Sequence, residues 1–299
     1  MKPREESWWR RAVLTRLVAL LAVIVVAHLA DASPRATAIN GVVSIADGES
    51  FTVIRGDDLR QGTKGITLIA GDLVETGPDA FLVVELQGGS LVGIGPSSGV
   101  YFLLRAGVAT LIVLKGWLKA DVRAEGKSGA ITVFGPRVGI KSRQVVVLLH
   151  ADERFDEMFD EQGSGTLLLR DTATTHIDKE TQPNQFFMRE GRSDVVLQPH
   201  PSADFLAKMP IAFRDTLPEN ASARLKSPLE PKRVRKVTYL DIQPWLTLPR
   251  DWRADFITRF RGRLKDPAFF SAMDAHQALY PEWVPILHPK PPDQGNGQR

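Results

Sequence analysis

The stretch FLVVELQGGSLVGIGP, residues 81–96, decides the fold. Phe81–Leu86 is a short run of apolar and β-branched residues, Gly88-Gly89 makes a corner, a second strand ends at Ile94, and Gly95-Pro96 closes it. Runs of this length and composition, closed by glycine and proline, read as strands joined by tight turns. At the corner a glycine pair supplies the positive φ that a Cβ would oppose.

The same grammar extends in both directions. Comparable runs occupy residues 51–54, 66–69, 101–104, 109–114, 118–122, 131–134, 144–149 and 166–169. Between them stand Gly71-Asp72, Gly77-Pro78, Gly107, Gly116, Gly126, Gly135-Pro136 and Gly163. Breaks this frequent leave helices no room. The expectation is a mainly β domain over residues 38–198, built as a solenoid-like stack or as a sandwich.

After Pro199 the pattern changes. Residues 199–249 carry eight prolines (199, 201, 210, 218, 228, 231, 244 and 249), which predicts an extended or irregular segment that packs against something else. Ser202 can cap one short helix over residues 203–209. Residues 250–289 then predict a small C-terminal helical hairpin. Asp251 would cap a helix whose apolar stripe is Trp252, Phe256, Ile257, Phe260 and Leu264. Asp266 would cap the second, with Pro267 at its first position, an inner face of Phe269, Phe270, Met273 and Tyr280, and Pro281 as its stop. Amphipathic stripes of this kind predict docking on the β half. Trp283, Ile286 and Leu287 form a final anchor, and residues 290–299 are expected to be a disordered tail.

Residues 1–32 read as a signal peptide. Arg10, Arg11 and Arg16 precede an apolar run over residues 17–27, and Ala30 and Ala32 supply the small-x-small cleavage spacing. The alternative is a retained inner-membrane anchor, which Trp8 and Trp9 would favour. The run is shorter than the roughly 20 residues a spanning helix needs, so cleavage is preferred. Either way the body is expected outside the cytoplasm, in a periplasm.

Composition then narrows the chemistry. There is no cysteine, which excludes thiol catalysis, Cys-ligated zinc, iron–sulfur clusters and disulfides. The net charge is +3, and much of that excess sits in the leader, so nucleic acid is not an expected partner. Gly95-Pro-Ser-Ser-Gly99 fits G-x-S-x-G, yet it joins one strand to another where a nucleophile elbow needs a helix, so it reads as a turn. Gly93, Gly95 and Gly99 miss the dinucleotide spacing. The histidines at 150, 176, 200, 276 and 288 show no metal-ligand spacing. No catalytic residue, cofactor or metal site is expected.

Two charged segments stand out. Asp152, Glu153, Asp156, Glu157, Asp160 and Glu161 recur in pairs every four residues, which predicts one side of a short helix or an exposed loop: a solvated face, or an acidic docking patch. Residues 224–265 carry twelve Lys/Arg against four acids. Arg224, Lys232, Arg233, Arg235 and Lys236 are its candidate contacts for a partner or polyanion. In an exported chain these could meet peptidoglycan, anionic lipid or an acidic protein face, or lie over the chain's own acids.

One resemblance bears on function. Gly41-Val-Val-Ser-Ile45, Ile69-Ala-Gly-Asp-Leu-Val-Glu-Thr-Gly77, Ala80-Phe-Leu-Val-Val-Glu-Leu86, Gly89-Ser90 and Gly95-Pro-Ser97 together resemble the FecR-like domain, over about residues 40–125. Gly116-Trp-Leu-Lys-Ala-Asp-Val122 and Phe187-Met-Arg-Glu-Gly191 are similar to its recurring glycine-led strands. Gly88 stands where that family usually has a turn aspartate, and the glycine-threonine pair before a strand is absent near residues 139–144. Only about sixteen residues precede the apolar run, so the cytoplasmic anti-sigma domain of FecR regulators, and with it sigma-factor control, is not expected. The resemblance implies a non-enzymatic, exported β-rich protein acting by protein–protein contacts with an envelope partner, in signalling or assembly. The alternative is a cell-wall polymer or anionic-membrane binding protein that uses the basic C-terminal segment.

Overall fold

A computed structural model describes residues 40–48, 51–105, 108–123, 129–171, 174–219 and 229–289. The proposed leader with Ala30 and Ala32, the basic residue Arg224 and the tail at 290–299 lie outside the described residues. Among the described residues no helix is long and apolar enough to cross a membrane.

The described chain is mainly β, with one sixteen-stranded sheet and a small C-terminal helical region. Its strands are β1 (Gly41–Asp47), β2 (Phe51–Arg55), β3 (Asp58–Gln61), β4 (Thr67–Leu68), β5 (Leu73–Thr76), β6 (Phe81–Leu86), β7 (Leu91–Ile94) and β8 (Gly99–Arg105). They continue with β9 (Val108–Arg123), β10 (Ile131–Phe134), β11 (Val138–Ala151), β12 (Phe155–Arg170), β13 (Thr175–Glu180), β14 (Gln185–Glu190), β15 (Val196–Gln198) and β16 (Lys232–Lys236).

Three long strands fold this sheet on itself. The first half of β9 pairs with β8 and β10, and its second half pairs with β7 and β11. β12 likewise pairs with β14 along its first half and β13 along its second. The change of partner in β9 comes at Gly116, whose φ is +83°; a Cβ there would lie 2.3 Å from Ser98 Oγ. The sequence reads residues 109–114 and 118–122 as separate strands, but this bend joins them into one. Antiparallel pairing dominates, with β9–β10 a parallel contact, so of the two arrangements open to the sequence the folded sheet is sandwich-like.

Alternation explains why the strands are apolar throughout. Val53, Val74, Phe102, Leu111 and Val133 of one half share a core with Val84, Val92, Leu118, Leu149 and Phe187 of the other. Their neighbours Ile54, Leu73, Tyr101, Ile112 and Phe134 face outward into a second cluster with Val237, Trp245, Phe256, Met273 and Trp283 of the C-terminal region. On the other side, Val83, Leu91, Trp117, Leu148 and Phe186 pack under Phe205, Phe213 and Leu217. Both outer faces are thus sealed by the chain that follows residue 199.

These covers are built from short pieces. α1 (Ala203–Lys208) is capped by Ser202, whose Oγ accepts from Phe205 N at 3.0 Å, as expected. The proline-rich stretch goes on to supply β16 and α2 (Tyr239–Ile242). The predicted first helix of the hairpin is shorter than its stripe: α3 covers Phe256–Phe260 and a 3-10 turn takes Arg261–Lys265. Asp251 is not at its cap position, since the helix begins after Asp255, and the Asp251 carboxylate is bound by Arg170 instead. α4 (Pro267–Ala275) starts as predicted, with Asp266 Oδ1 accepting from Ala268 N at 3.0 Å, and α5 (Val284–Leu287) closes the region.

Candidate interaction surface

The acidic run is the clearest departure from expectation. Residues 155–161 are part of strand β12, neither helix nor loop, and their carboxylates are divided between its two faces. Asp156 is buried; its Oδ1 lies 2.9 Å from Arg137 Nη1, and its Oδ2 accepts from the backbone of Arg137 and Val138. Burial still pushes its pKa up to about 6 against those bonds. Asp160, also fully buried, accepts the Thr181 hydroxyl at 2.5 Å. On the opposite face Glu157 lies 3.0 Å from His150 Nδ1, and Glu161 2.7 Å from Lys119 Nζ. Asp152 Oδ1 caps the preceding turn, accepting from Arg154 N and Phe155 N. Asp152 and Glu153 lie in the loop before the strand, with Glu153 exposed. The carboxylates of Asp152, Asp156, Glu157, Asp160 and Glu161 all hold partners within the fold.

The basic segment is spread over several structures. β16 lies antiparallel on β3, with Val234 as the extra residue of a bulge. Arg233 Nε is 2.9 Å from Asp58, Arg235 takes Asp241 in a two-bond fork, and Lys236 lies 2.5 Å from Asp57. Burial raises the Asp58 pKa, but Lys236, Arg233 and Arg60 outweigh it and the net shift is downward. Lys232 is exposed at the start of the strand. Beyond β16, Arg253 binds Glu282 and Arg263 binds Asp266. Arg259 donates to the carbonyls of Ile54, Gly56 and Gly71, each at 2.6 Å. Three of the five candidate contacts, Arg233, Arg235 and Lys236, therefore meet on one edge and already hold in-chain acids.

Other expected features fall where their chemistry allows. Ser97 is an exposed turn residue with φ +50°, and Ser98 Oγ accepts from Trp117 N at 2.8 Å and so holds the bend of β9. His150 stacks on Trp117, with ring centroids 4.3 Å apart. His276 stacks on Tyr239, and His288 binds Asp274. Among the described residues no three His, Asp or Glu side chains are grouped to hold a metal ion.

Buried cations inside the sheet escaped the sequence reading. Lys119 has almost no exposure; besides Glu161 it donates to Phe213 O and Asp215 O, both at 3.0 Å, tying the α1 cover to β9. Arg170 lies 4.2 Å over the Trp252 ring, and Arg189 reaches the carbonyls of Arg137 and Arg170. The only local signal is a charged residue inside an apolar strand, as in Trp117-Leu-Lys-Ala, and it does not name a partner.

Two features face solvent. One is a groove of about 450 Å³ lined by Lys119, Asp121, Arg143, Gln144, Glu161 and Gln162 among others. The sheet also ends in edges. β13 pairs with β12 and is exposed at all six residues, including Ile177 at 72%. β15 pairs with β14 and exposes Val196 and Leu197, and β16 exposes Val234. Among the described residues the far sides of β13, β15 and β16 carry no paired strand.

No family model matches the chain, and no curated protein does. Among solved structures it is similar to a "putative anti-sigma factor" of Parabacteroides distasonis ATCC 8503, in crystal structures at 1.65 and 2.50 Å resolution. Each match has a TM-score of 0.37 at 10% identity over 45% of this chain. The chain spans 63% and 62% of the length of those two neighbours.

Proposed function

We propose that this is a non-enzymatic, exported module that acts by binding a protein partner of the cell envelope, in signalling or assembly. The observation that carries the reading is where the sheet is closed and where it is open. Its own C-terminal covers seal both outer faces, so what it offers a partner is strand edges carrying exposed Ile177, Val196, Leu197 and Val234. Open edges present unpaired N–H and C=O groups to a strand from another chain, and apolar side chains beside them add contact area. The stretch resembling the FecR-like domain supports the envelope setting, and the arginines and leader-like residues 1–32 support export.

Binding to peptidoglycan or anionic lipid through β16 is the second reading. It draws on exposed Lys232 and on Arg233, Arg235 and Lys236, which would have to share their charge with Asp57, Asp58 and Asp241. Crosslinking in intact cells that express a C-terminally tagged chain separates the two. Recovery of one envelope protein in defined stoichiometry supports the first reading. Recovery of cell-wall polymer or lipid alone, lost on charge reversal of Arg233, Arg235 and Lys236, overturns it in favour of the second.

A further inference from the structure

Among the buried polar atoms of β12 that lack a hydrogen-bond partner, Asp160 Oδ1 belongs to a carboxyl with no cation beside it. Asp160 is fully buried, its Oδ2 accepts the Thr181 hydroxyl, and its Oδ1 has no hydrogen bond. Strand alternation sends it to the inner face with Met158, a residue of the central core. An ionised carboxylate there is shielded from bulk solvent and has no counter-charge beside it. Burial accordingly pushes its pKa up to about 7, opposed by the Thr181 bond. The charged groups around it are engaged elsewhere. On β12, Asp156 holds Arg137, Glu157 holds His150 and Glu161 holds Lys119. On β13, Glu180 accepts from Thr166; on β14, Arg189 binds Asp171; on β11, the residue opposite is Val147.

The position of this carboxyl is also particular. Asp160 opposite Gln185 is the end of the β12–β14 pairing, and the β12–β13 pairing begins at Thr166 opposite Glu180. Gly163, with φ +88°, bends β12 between them. The corner at residues 181–184 is pinned across that bend: Thr181 N donates to Gly165 O at 2.7 Å, Gly165 N to Thr181 Oγ1 at 2.9 Å, and Asn184 N to Asp160 O at 2.7 Å.

We infer that Asp160 is a protonation switch: when neutral it locks the corner at residues 181–184, and edge strand β13 with it, onto β12, and when ionised it releases them. The carboxylate gains water by opening this corner, because β13 beyond it is exposed along its whole length. The locked form holds its proton more tightly than the open one. Its advantage is therefore complete at about pH 4, near the ordinary carboxylate pKa, and is lost as pH rises to about 7, with no further change above.

Amide hydrogen exchange of the full chain at pH 5, 6, 7 and 8, corrected for intrinsic exchange, tests this. For residues 175–185 the opening equilibrium is expected to rise about tenfold per pH unit from pH 5 to 7 and then level off, and the isosteric Asp160→Asn should flatten that slope. A flat wild-type profile, or a slope that persists in Asp160→Asn, overturns the switch. If Asp160→Asn fails to fold, the carboxyl 13C resonance of Asp160 in the wild type decides. A titration midpoint above about pH 6 supports the switch, and one below it overturns it.

Discussion

Lys119 shows how a single side chain is committed by distant parts of the chain. Alternation places it on the same outer face as Trp117, and that much is readable in the sequence. Its carbonyl partners, Phe213 and Asp215, lie 94 and 96 residues further on, so nothing local announces them. Lys119→Ala leaves the two carbonyls without their donor, while Glu161 keeps partial access to water, so a loss of about 1–3 kcal/mol is expected in urea denaturation. Gly116 is the contrasting case, because the sequence marks it as a break and the structure uses it as a bend. Gly116→Ala places a Cβ 2.3 Å from Ser98 Oγ at φ +83°, and about 1–3 kcal/mol of lost stability should appear in the same measurement.

Among the elements, β12 is where local pattern and tertiary structure disagree. Charge pairs every four residues suggest a helical face. The competing signal is weaker to the eye: Asp156, Met158 and Asp160 fall on one side, and Phe155, Glu157, Phe159 and Glu161 on the other. Pairing with β11 and β14 on both sides decides for the strand, since the flanking ladders supply backbone partners along residues 155–160. The first helix of the predicted hairpin starts later than its stripe, because residues 250–254 form turns and the helix begins after Asp255, while the Asp251 carboxylate is held by Arg170. The capping of α1 by Ser202 and of α4 by Asp266 needed only neighbouring residues, and both were legible. The covers are essential elements. Truncating a buried phenylalanine typically costs about 3–5 kcal/mol, and Phe213→Ala is expected to fall in that range in a denaturant titration. A chain ending at Lys236 would bare Ile54, Leu73, Tyr101, Ile112 and Phe134. It should bind a hydrophobic dye strongly and elute as aggregates in size-exclusion chromatography; a dye-silent monomer would contradict the two-cover architecture.

For the whole molecule, the carboxylates predict a stability optimum at mildly acidic pH. Burial raises Asp160 to about 7 and Asp156 to about 6, so their contribution is complete at about pH 4 and declines as pH rises towards 7. Asp58 and Asp241 move the other way: burial raises them, but Lys236 and Arg235 respectively outweigh it, and both end below their ordinary value. Their contribution is present above about pH 4 and is lost as pH falls further. Urea midpoints measured at pH 2, 4 and 8 should therefore be highest at pH 4. A midpoint that climbs steadily to pH 8 would show that Asp156 and Asp160 are not buried as described.

What the sequence determined by itself is what short-range chemistry controls. β-Branched runs closed by glycine and proline specify strands, glycine pairs specify corners, and an oxygen-bearing side chain three residues ahead of a free N–H specifies a helix start. The amphipathic stripes of the C-terminal region also implied that it would dock on the β half. Only the tertiary structure decided which residues do the covering, where long strands bend and change partners, and which charges become internal. Those outcomes depend on pairings between residues many tens of positions apart. Burial in the assembled core, a property of no single segment, sets Asp160 apart from the other acids of its run and pushes its pKa up to about 7.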